Sequence, residues 1–309
     1  MSGYTRKKHV IQNKTRRITK KYLICMPQGG LSDMIARIYE CLEYCKKHKR
    51  IIIVDTRFST HMKYSIFHYF KIDSPILFRG DLDKQYASFK GKSFFPSEFS
   101  NNFKTVECRY KKGIGSINKK TKIPCFIDLE KSYPEDVLFY RNGGGGSKTH
   151  NIISFLKICR LTPLVKKVFL ERQKQLPEKY ISVHIRNTDY KSDVDNFIKE
   201  NKKIFDSNSI FLASDHNETI QKFKSLYGND LFSFSKIKKI PKTKKRLGLH
   251  HMKRSLKETH EMTVDAIVDL LLLAGGKQFY FSSKESAYSK VAHQLNKDYS
   301  VVKHLLSNN

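Results

Sequence analysis

The sequence has no tryptophan, few prolines and glycines, and half as many acidic as basic residues. Its 39% hydrophobic residues exclude a disordered chain and indicate a folded protein. The shortage of acid leaves a formal net charge of +30, and so basic a surface attracts nucleic acid, anionic lipid headgroups or phosphorylated small molecules. Charge alone does not choose among these polyanions, because the long-range attraction does not depend on their structure.

The sequence also lacks apolar stretches of membrane-spanning length and cysteines at Cys-x-x-Cys spacing. No window approaches the roughly 18 apolar residues of a membrane span, and residues 1–21 are basic without the apolar core of a secretory signal. The six cysteines form no Cys-x-x-Cys pair, and no histidine lies at zinc-ligand spacing from them. We therefore predict six reduced thiols, no structural metal and a cytoplasmic location, with peripheral contact between the basic surface and an anionic membrane as an option.

A strand, a glycine turn, a helix and a second strand follow the basic N-terminal arm. Residues 21–26 and 51–55 are apolar runs of strand length, and residues 31–47 carry apolar side chains at helical spacing. This order predicts a βαβ unit and hence a parallel sheet. The turn at Gly29-Gly30 either lets the backbone approach a ligand closely or simply closes a tight connection.

Strands and helices alternate regularly in the second half of the chain. Strands are predicted near 180–186, 209–214, 230–234 and 277–282, and helices near 164–175, 216–226, 259–274 and 286–296. The alternation predicts a second parallel sheet of Rossmann type. Between the halves, Asn142 is followed by four glycines, and this stretch marks either a domain boundary or a ligand-facing loop.

The end of the strand at 180–186 carries the strongest functional signal. His184 and Arg186 share one face at its carboxyl end, which is where ligands bind in open α/β sheets. Arginine suits phosphate oxygens, and the carboxylates just beyond it, Asp189, Asp193 and Asp195, suit proton abstraction from a hydroxyl.

Further polar groups follow the other strands of this half. If the strands are parallel, these groups converge with His184 and Arg186: Ser214, Asp215, residues 248–251, Ser282, Ser283 and Ser286. Ser286-Ala287 would open a helix, whose free N–H groups favour phosphate. Together these features predict a nucleoside-diphosphate site.

Three segments resemble motifs of the GT-B fucosyltransferase superfamily. Residues 184–189, His-Ile-Arg-Asn-Thr-Asp, are similar to the His-x-Arg-Arg-Thr-Asp motif of α1,6-fucosyltransferases and nodulation fucosyltransferases. Residues 211–215 are similar to the second motif, and residues 265–273 with 285–292 to the third. The similarity runs in order through residues 160–295.

This resemblance implies a GT-B fold, which is α/β with two Rossmann-like domains facing each other across a cleft. The chain would comprise a basic arm at 1–20, an acceptor-side domain at 21–160 and a GDP-sugar-binding domain at 161–309. The implied reaction is metal-independent, inverting transfer of L-fucose from GDP-fucose to a hydroxyl of a glycan or lipid-linked glycan, with no cofactor. Another GDP-deoxyhexose is an alternative donor, because a methyl-for-hydroxymethyl difference is worth only a few kcal/mol.

Site roles follow from the resemblance by position. Arg186 would hold the β-phosphate beside His184, and Asp269 would recognise the guanine or ribose side. The family's base would fall between Asp193 and Asp195, of which Asp195 is slightly preferred. Asn187 stands where α1,6 enzymes have a second arginine. This difference leaves open whether the glycosidic linkage formed is α1,6. The full predicted donor-binding set is His184, Arg186, Asp189, Ser214, Asp215, Asp269, Ser283, Ser286, Ala287, Gly29 and Gly30.

Two alternative interpretations remain at this stage. The runs 81–83 and 193–195 have an Asp-x-Asp pattern typical of Mn²⁺-dependent transferases, although the GT-B interpretation needs no metal. The basic run 236–246 either borders the donor cleft, contacts an anionic membrane or is simply solvated. Because such a run also suits polyanions, the alternative function is that of a nucleic-acid-binding protein. Against that alternative, the sequence has no zinc finger, RNP-type strand or clear helix-turn-helix.

Overall fold

The computed structural model describes residues 20–59, 61–101, 103–111, 114–142, 148–188, 192–237, 254–283 and 286–308. Their strands are β1 Tyr22–Cys25, β2 Ile51–Val54, β3 Phe70–Ile72, β4 Phe94–Phe95, β5 Cys108–Lys111, β6 Gly115–Asn118, β7 Val137–Tyr140, β8 Cys159–Leu161, β9 Ile181–Ile185, β10 Ile210–Ser214, β11 Leu231–Phe232 and β12 Phe279–Phe281. The α-helices are α1 Leu31–Lys47, α2 Leu82–Ala87, α3 Thr149–Lys157, α4 Pro163–Gln173, α5 Val194–Phe205, α6 Asn217–Tyr227, α7 Leu256–Gly275, α8 Ala287–Lys297 and α9 Ser300–Leu306.

The first sheet has the strand order β2-β1-β7-β4, and its pairings are parallel. All four residues of β1 and of β7 are buried, as expected for strands covered on both faces. Helix α1 connects β1 to β2 and buries one apolar face that includes Met34, Ile35 and Ile38. The predicted βαβ unit is confirmed.

The second sheet has the order β11-β10-β9-β12 and is also parallel. Its central strand β9 places His184 between Ala213 of β10 and Phe281 of β12. The long helix α7 begins with a capping box formed by Ser255 and Glu258, which satisfies orphan N–H groups at its first turn. The second predicted sheet is therefore confirmed, and the carboxyl ends of its strands lie at one edge.

One continuous apolar core joins the two halves. It contains residues of β1 and α1, such as Leu23 and Ile35, together with Val268 and Leu271 of α7 and Leu295 of α8. Helices α3 and α1 of the first half pack against α8 of the second. Among the described helices, none combines the length and apolar content needed to cross a bilayer.

The prediction of six reduced thiols is wrong for one pair. Cys108 on β5 is disulfide-bonded to Cys125, which lies 17 residues further along the chain. The antiparallel β5–β6 hairpin brings them together, since Cys125 donates its N–H to Ser116 of β6. Spacing alone did not reveal this contact. Because disulfides persist mainly in oxidising compartments, the pair removes the support that cysteine usage gave to a cytoplasmic location.

Candidate functional site

A cavity of about 190 Å³ opens where the carboxyl edge of the second sheet meets the first turn of α1. Both halves of the chain line it. Its walls are formed by Gly30, Leu31, Ser32, Asp33, His61, His184, Arg186, Thr188, Ala213, Ser214, Asp215, Ser235, Lys236, Ile237, Met262, Asp265, Ala266, Asp269, Ala287 and Tyr288. A single water needs roughly 10–15 Å³ of such space, so the cavity has room for a ligand.

His184 is a buried, neutral imidazole in the wall of this pocket. Burial, with a smaller contribution from the charge of Arg186, lowers the pKa of His184 to about 3. Its Nδ1 lies 2.6 Å from the hydroxyl of Ser289 on α8. When Ser289 donates to Nδ1, the ring proton is on Nε2. His184 can then donate a hydrogen bond to a ligand without carrying charge.

Asp215 fixes the loop that carries Arg186. One of its carboxylate oxygens accepts the N–H of Asn187 at 2.7 Å, and the other accepts the Thr188 hydroxyl at 2.6 Å. Ser192 adds a hydrogen bond to the carbonyl of Arg186 at 2.7 Å. Asp215 lines the pocket, and its contacts with Asn187 and Thr188 orient the loop that carries Arg186.

Asp269 lines the pocket from the buried face of α7. It accepts a hydrogen bond from the hydroxyl of Ser235, and Arg172 of α4 lies 3.4 Å away. Burial raises the pKa of Asp269 to about 7, although Ser235 and Arg172 act in the opposite direction. Arg172 also pairs with Asp265 and stacks over the ring of Phe234 at 5.7 Å.

Sequence reasoning found Asp269 but missed Arg172 and Ser235. Arg172 belongs to no motif and follows no strand end, and packing of α4 against α7 brings it to the site. Ser235 directly follows the predicted strand at 230–234, so its position at a strand end was a signal. A further sequence signal pointed to such partners. Burial of the Asp269 carboxylate costs free energy, and a buried carboxylate therefore requires a partner somewhere in the fold.

The N-terminus of α8 faces the pocket at Ala287 and Tyr288. Ser286 is buried and caps this helix by accepting the N–H of Ser289 at 3.3 Å. The hydroxyl of Tyr288 donates to the carbonyl of Ala266 at 2.7 Å, and its ring centroid lies 5.0 Å from that of His184. The helix therefore presents backbone N–H groups to the pocket, as a phosphate site requires.

The glycine turn before α1 forms the opposite wall. Gly29 has a φ of +98°, a conformation that favours glycine, and a Cβ there would lie 3.0 Å from Asp33. Gly30 is the N-cap of α1 and lines the pocket. Gly30 but not Gly29 lines the pocket, and close approach of this backbone to a ligand stays a prediction.

The two predicted bases are not brought to the pocket. Asp193 caps α5 by accepting the N–H of Asn196 at 3.0 Å. The Asp195 side chain is 80% exposed and pairs with Lys222 of α6. Helix α5 itself was not predicted, although Phe197, Ile198, Ile204 and Phe205 lie at helical spacing on one face.

The remaining predicted residues differ in where the structure places them. Ser214 lines the pocket, whereas Ser283 does not. Asp189, residues 248–251 and most of the basic run 236–246 lie outside the described residues. In the other Asp-x-Asp run, Asp81 caps α2 and Asp83 pairs with Arg57 and Lys104.

Comparison with known proteins gives matches at the level of structure. No protein-family model matches the chain, and no curated protein sequence matches it. The crystal structure of fucosyltransferase NodZ from Bradyrhizobium matches with a TM-score of 0.61 at 14% identity, covering 89% of this chain and 93% of that one. NodZ α-1,6-fucosyltransferase soaked with GDP-fucose matches with a TM-score of 0.60 at 14% identity, covering 89% and 92%.

The chain has the NodZ fold. The likeness extends over both sheets, because it covers 89% of the chain. The predicted fold class, GT-B with two Rossmann-like α/β units, is confirmed. The predicted boundary between residues 160 and 161 stays a prediction.

Proposed function

We propose that this protein is an inverting, metal-independent fucosyltransferase that transfers L-fucose from GDP-fucose to a hydroxyl of a glycan or lipid-linked glycan. One observation carries the proposal. His184 and Arg186, the N-terminus of α8 and the buried carboxylate of Asp269 meet in a single pocket. The NodZ fold supports it, since NodZ structures soaked with GDP-fucose and co-crystallized with GDP are among the matches.

Two groups of residues in the pocket wall suit the diphosphate and the base of GDP. Arg186 and the N–H groups at Ala287 and Tyr288 favour the diphosphate, and the Nε2–H of neutral His184 adds a donor for a phosphate or ribose oxygen. Guanine presents adjacent N–H donors at N1 and N2, which match the two acceptor oxygens of one carboxylate. Asp269, oriented by Ser235 and Arg172, is proposed to bind that edge.

The same groups assist departure of GDP. The bond between fucose C1 and the β-phosphate oxygen breaks as the acceptor hydroxyl attacks C1 from the opposite face, which inverts the configuration. Negative charge develops on the phosphate, where Arg186 and the α8 N-terminus stabilise it. Loss of one such preorganised donor typically lowers the rate by a factor of about 10² to 10³. These cationic and dipolar groups would take the place of a metal ion.

The acceptor is proposed to face the first half of the chain, which contributes the turn at Gly30 and the first turn of α1 to the pocket. Residues 161–309 would form the donor-binding domain and residues 21–160 the acceptor-side domain. A peripheral membrane contact through the basic surface would suit a lipid-linked acceptor, because the chain's net charge is +30.

The test is release of GDP from GDP-fucose in the presence of EDTA, measured for wild type, Arg186→Ala and Arg109→Ala. Arg109 is an exposed arginine on β5 and serves as the charge-matched control. We expect the Arg186 variant to lose about 10²-fold or more of the rate and the control to retain it. Absence of GDP release by wild type, or full activity in Arg186→Ala, would contradict the proposal.

A further inference from the structure

A second cavity lies on the far side of helix α4 from the candidate donor pocket. Its volume is about 520 Å³. The α4 residues at positions 163, 166, 167, 170, 171 and 174 line it, and their spacing places them on one helix face. Arg172, which pairs with Asp269, lies on the opposite face, since each residue turns the helix by about 100°. Among the described residues, the two cavities share no wall residue.

The wall of this second cavity is strongly basic. Five of its eleven described residues are lysine or arginine, whereas the chain as a whole has 59 in 309. Glu171 is the acidic residue among the eleven, so the described wall has an excess of four positive charges. A further carboxylate from an undescribed residue would still leave an excess of three. The five cations are Lys71, Arg160, Lys166, Lys167 and Lys174.

Strand pairing holds two of these cations together. The antiparallel pair of β3 and β8 sets Lys71 directly opposite Arg160. The residues before and after each of them are buried, and because side chains alternate between the two faces of a strand, both cations lie on the outer face. Like charges directly opposite each other destabilise a sheet. An anion bound beside them would offset this repulsion.

Arg160 is held in place by uncharged groups. Its Nε donates to the hydroxyl of Ser307 at 2.6 Å, and its Nη1 donates to the carbonyl of Cys159 at 3.2 Å and to Nε2 of His304. Burial, together with the charge of Arg160, lowers the pKa of His304, so this ring is neutral at pH 7. These contacts orient the guanidinium without neutralising it, and an oriented guanidinium suits phosphate oxygens.

The N-terminus of α4 adds to the positive potential at this wall. Pro163 is the first residue of α4 and lines the cavity. The hydroxyl of the preceding Thr162 donates to the carbonyl of His68 at 2.8 Å and does not cap the helix, and the first turn has no acidic residue. The positive end of the helix dipole therefore acts in the same sense as the five cations. Leu170, which is 40% exposed, gives the wall an apolar patch.

We infer that this second cavity binds a ligand with two or more phosphate groups, carried by a soluble molecule or by a lipid headgroup. A phosphate group brings about 1.5 to 2 negative charges at pH 7, so two such groups match the excess of four cations. The apolar patch at Leu170 suits the carbon skeleton that carries them. Because the cavity is separate from the donor pocket, the inference does not rest on the proposed function.

The experiment is calorimetric titration at physiological ionic strength with two probes. One is inorganic pyrophosphate, and the other is vesicles of phosphatidylcholine that contain a phosphatidylinositol phosphate. Wild type is compared with Lys71→Gln/Lys174→Gln, whose two exposed side chains leave the fold unaffected. Lys90→Gln/Lys224→Gln removes the same charge from exposed positions outside both cavities. Arg186→Ala identifies any pyrophosphate that binds in the donor pocket.

We expect the pair at 71 and 174 to weaken binding about tenfold or more, because charge-assisted hydrogen bonds to phosphate are lost. The control pair and Arg186→Ala should retain the binding. Glu171→Gln should tighten it about two- to fivefold, since the described wall loses its acidic residue, and a misfolded variant could not show this gain. Binding of pyrophosphate would show that a soluble ligand suffices, and binding of the vesicles alone would identify a lipid headgroup.

Four results would overturn the inference. The first is the absence of saturable binding for both probes. The second is equal weakening by the lysine pair and its control, which is the behaviour of diffuse attraction to a basic surface. The third is unchanged or weaker binding in Glu171→Gln. The fourth is binding that only Arg186→Ala removes, because the ligand would then occupy the donor pocket.

Discussion

Replacement of Asp269 by asparagine is expected to stabilise the fold above neutral pH while it removes the preference for guanine. Burial raises the pKa of Asp269 to about 7, and a model carboxyl titrates near 3.8. The folded protein therefore binds this proton more tightly than the unfolded chain does. Its stability is highest below the unfolded pKa and falls as pH rises toward the folded pKa of about 7.

The size of this change in unfolding free energy follows from the difference between the folded and unfolded pKa values of Asp269. Each pH unit between the two pKa values is worth about 1.4 kcal/mol. Between pH 5 and pH 7 the wild type should lose about 3 kcal/mol of unfolding free energy that Asp269→Asn retains, because an amide does not ionise. The amide can still accept the Ser235 hydrogen bond, and Arg172 keeps its pair with Asp265.

The assay is urea unfolding followed by circular dichroism at pH 5 and pH 8, with Asp206→Asn as an exposed control. The unfolding free energy of Asp269→Asn should increase relative to that of the wild type as pH rises, and that of the control should not. In parallel, the variant should bind GDP no better than IDP, whose base lacks the 2-amino group. If Asp269→Asn follows the pH dependence of the wild type, or is less stable at pH 8, the account of this buried carboxylate is refuted.

Three further predictions concern the donor site. GDP affinity should fall about tenfold per pH unit below the Asp269 pKa of about 7, because the guanine edge needs the ionised carboxylate, and calorimetry across pH 5 to 8 would detect this. Ser289→Ala should weaken GDP binding by about 1 kcal/mol, since His184 loses the hydroxyl that sets its tautomer, and titration against wild type measures the difference. Arg172→Met should lower the preference for GDP over IDP and move the pH midpoint of binding upward, because the cation that opposes protonation of Asp269 is removed; unchanged binding would contradict its positioning role.

Much of the fold could be predicted because its central strands are buried on both faces. The runs that became β1 and β2 are apolar throughout, and those of β9 and β10 are mostly apolar. Helix α1 has a single apolar face whose predicted bounds match those observed. Residues 56–135 gave no such signal. Their strands β3 to β6 are two to four residues long. Strands β3 and β4 depend on pairing with the distant strands β8 and β7, and β5 pairs only with its neighbour β6.

Polar residues at strand ends were predicted to form the site, and several of them line the pocket. His184, Arg186 and Ser214 follow that rule, and Asp269 was recognisable as a carboxylate in an otherwise apolar helix. Contributions from outside these positions were missed. Asp33 and His61 belong to the first half of the chain, from which the turn at Gly29-Gly30 alone was predicted to reach the site. The disulfide was missed because its partners meet only through a hairpin.

The most direct test of the central claim is calorimetric titration of GDP, UDP and ADP into wild type and Arg186→Ala with EDTA present. We expect the wild type to prefer GDP without a divalent metal and Arg186→Ala to lose this binding. Equal, weak and salt-sensitive binding of all three nucleotides, unchanged in the variant, would contradict it and leave the +30 surface as the source of polyanion binding.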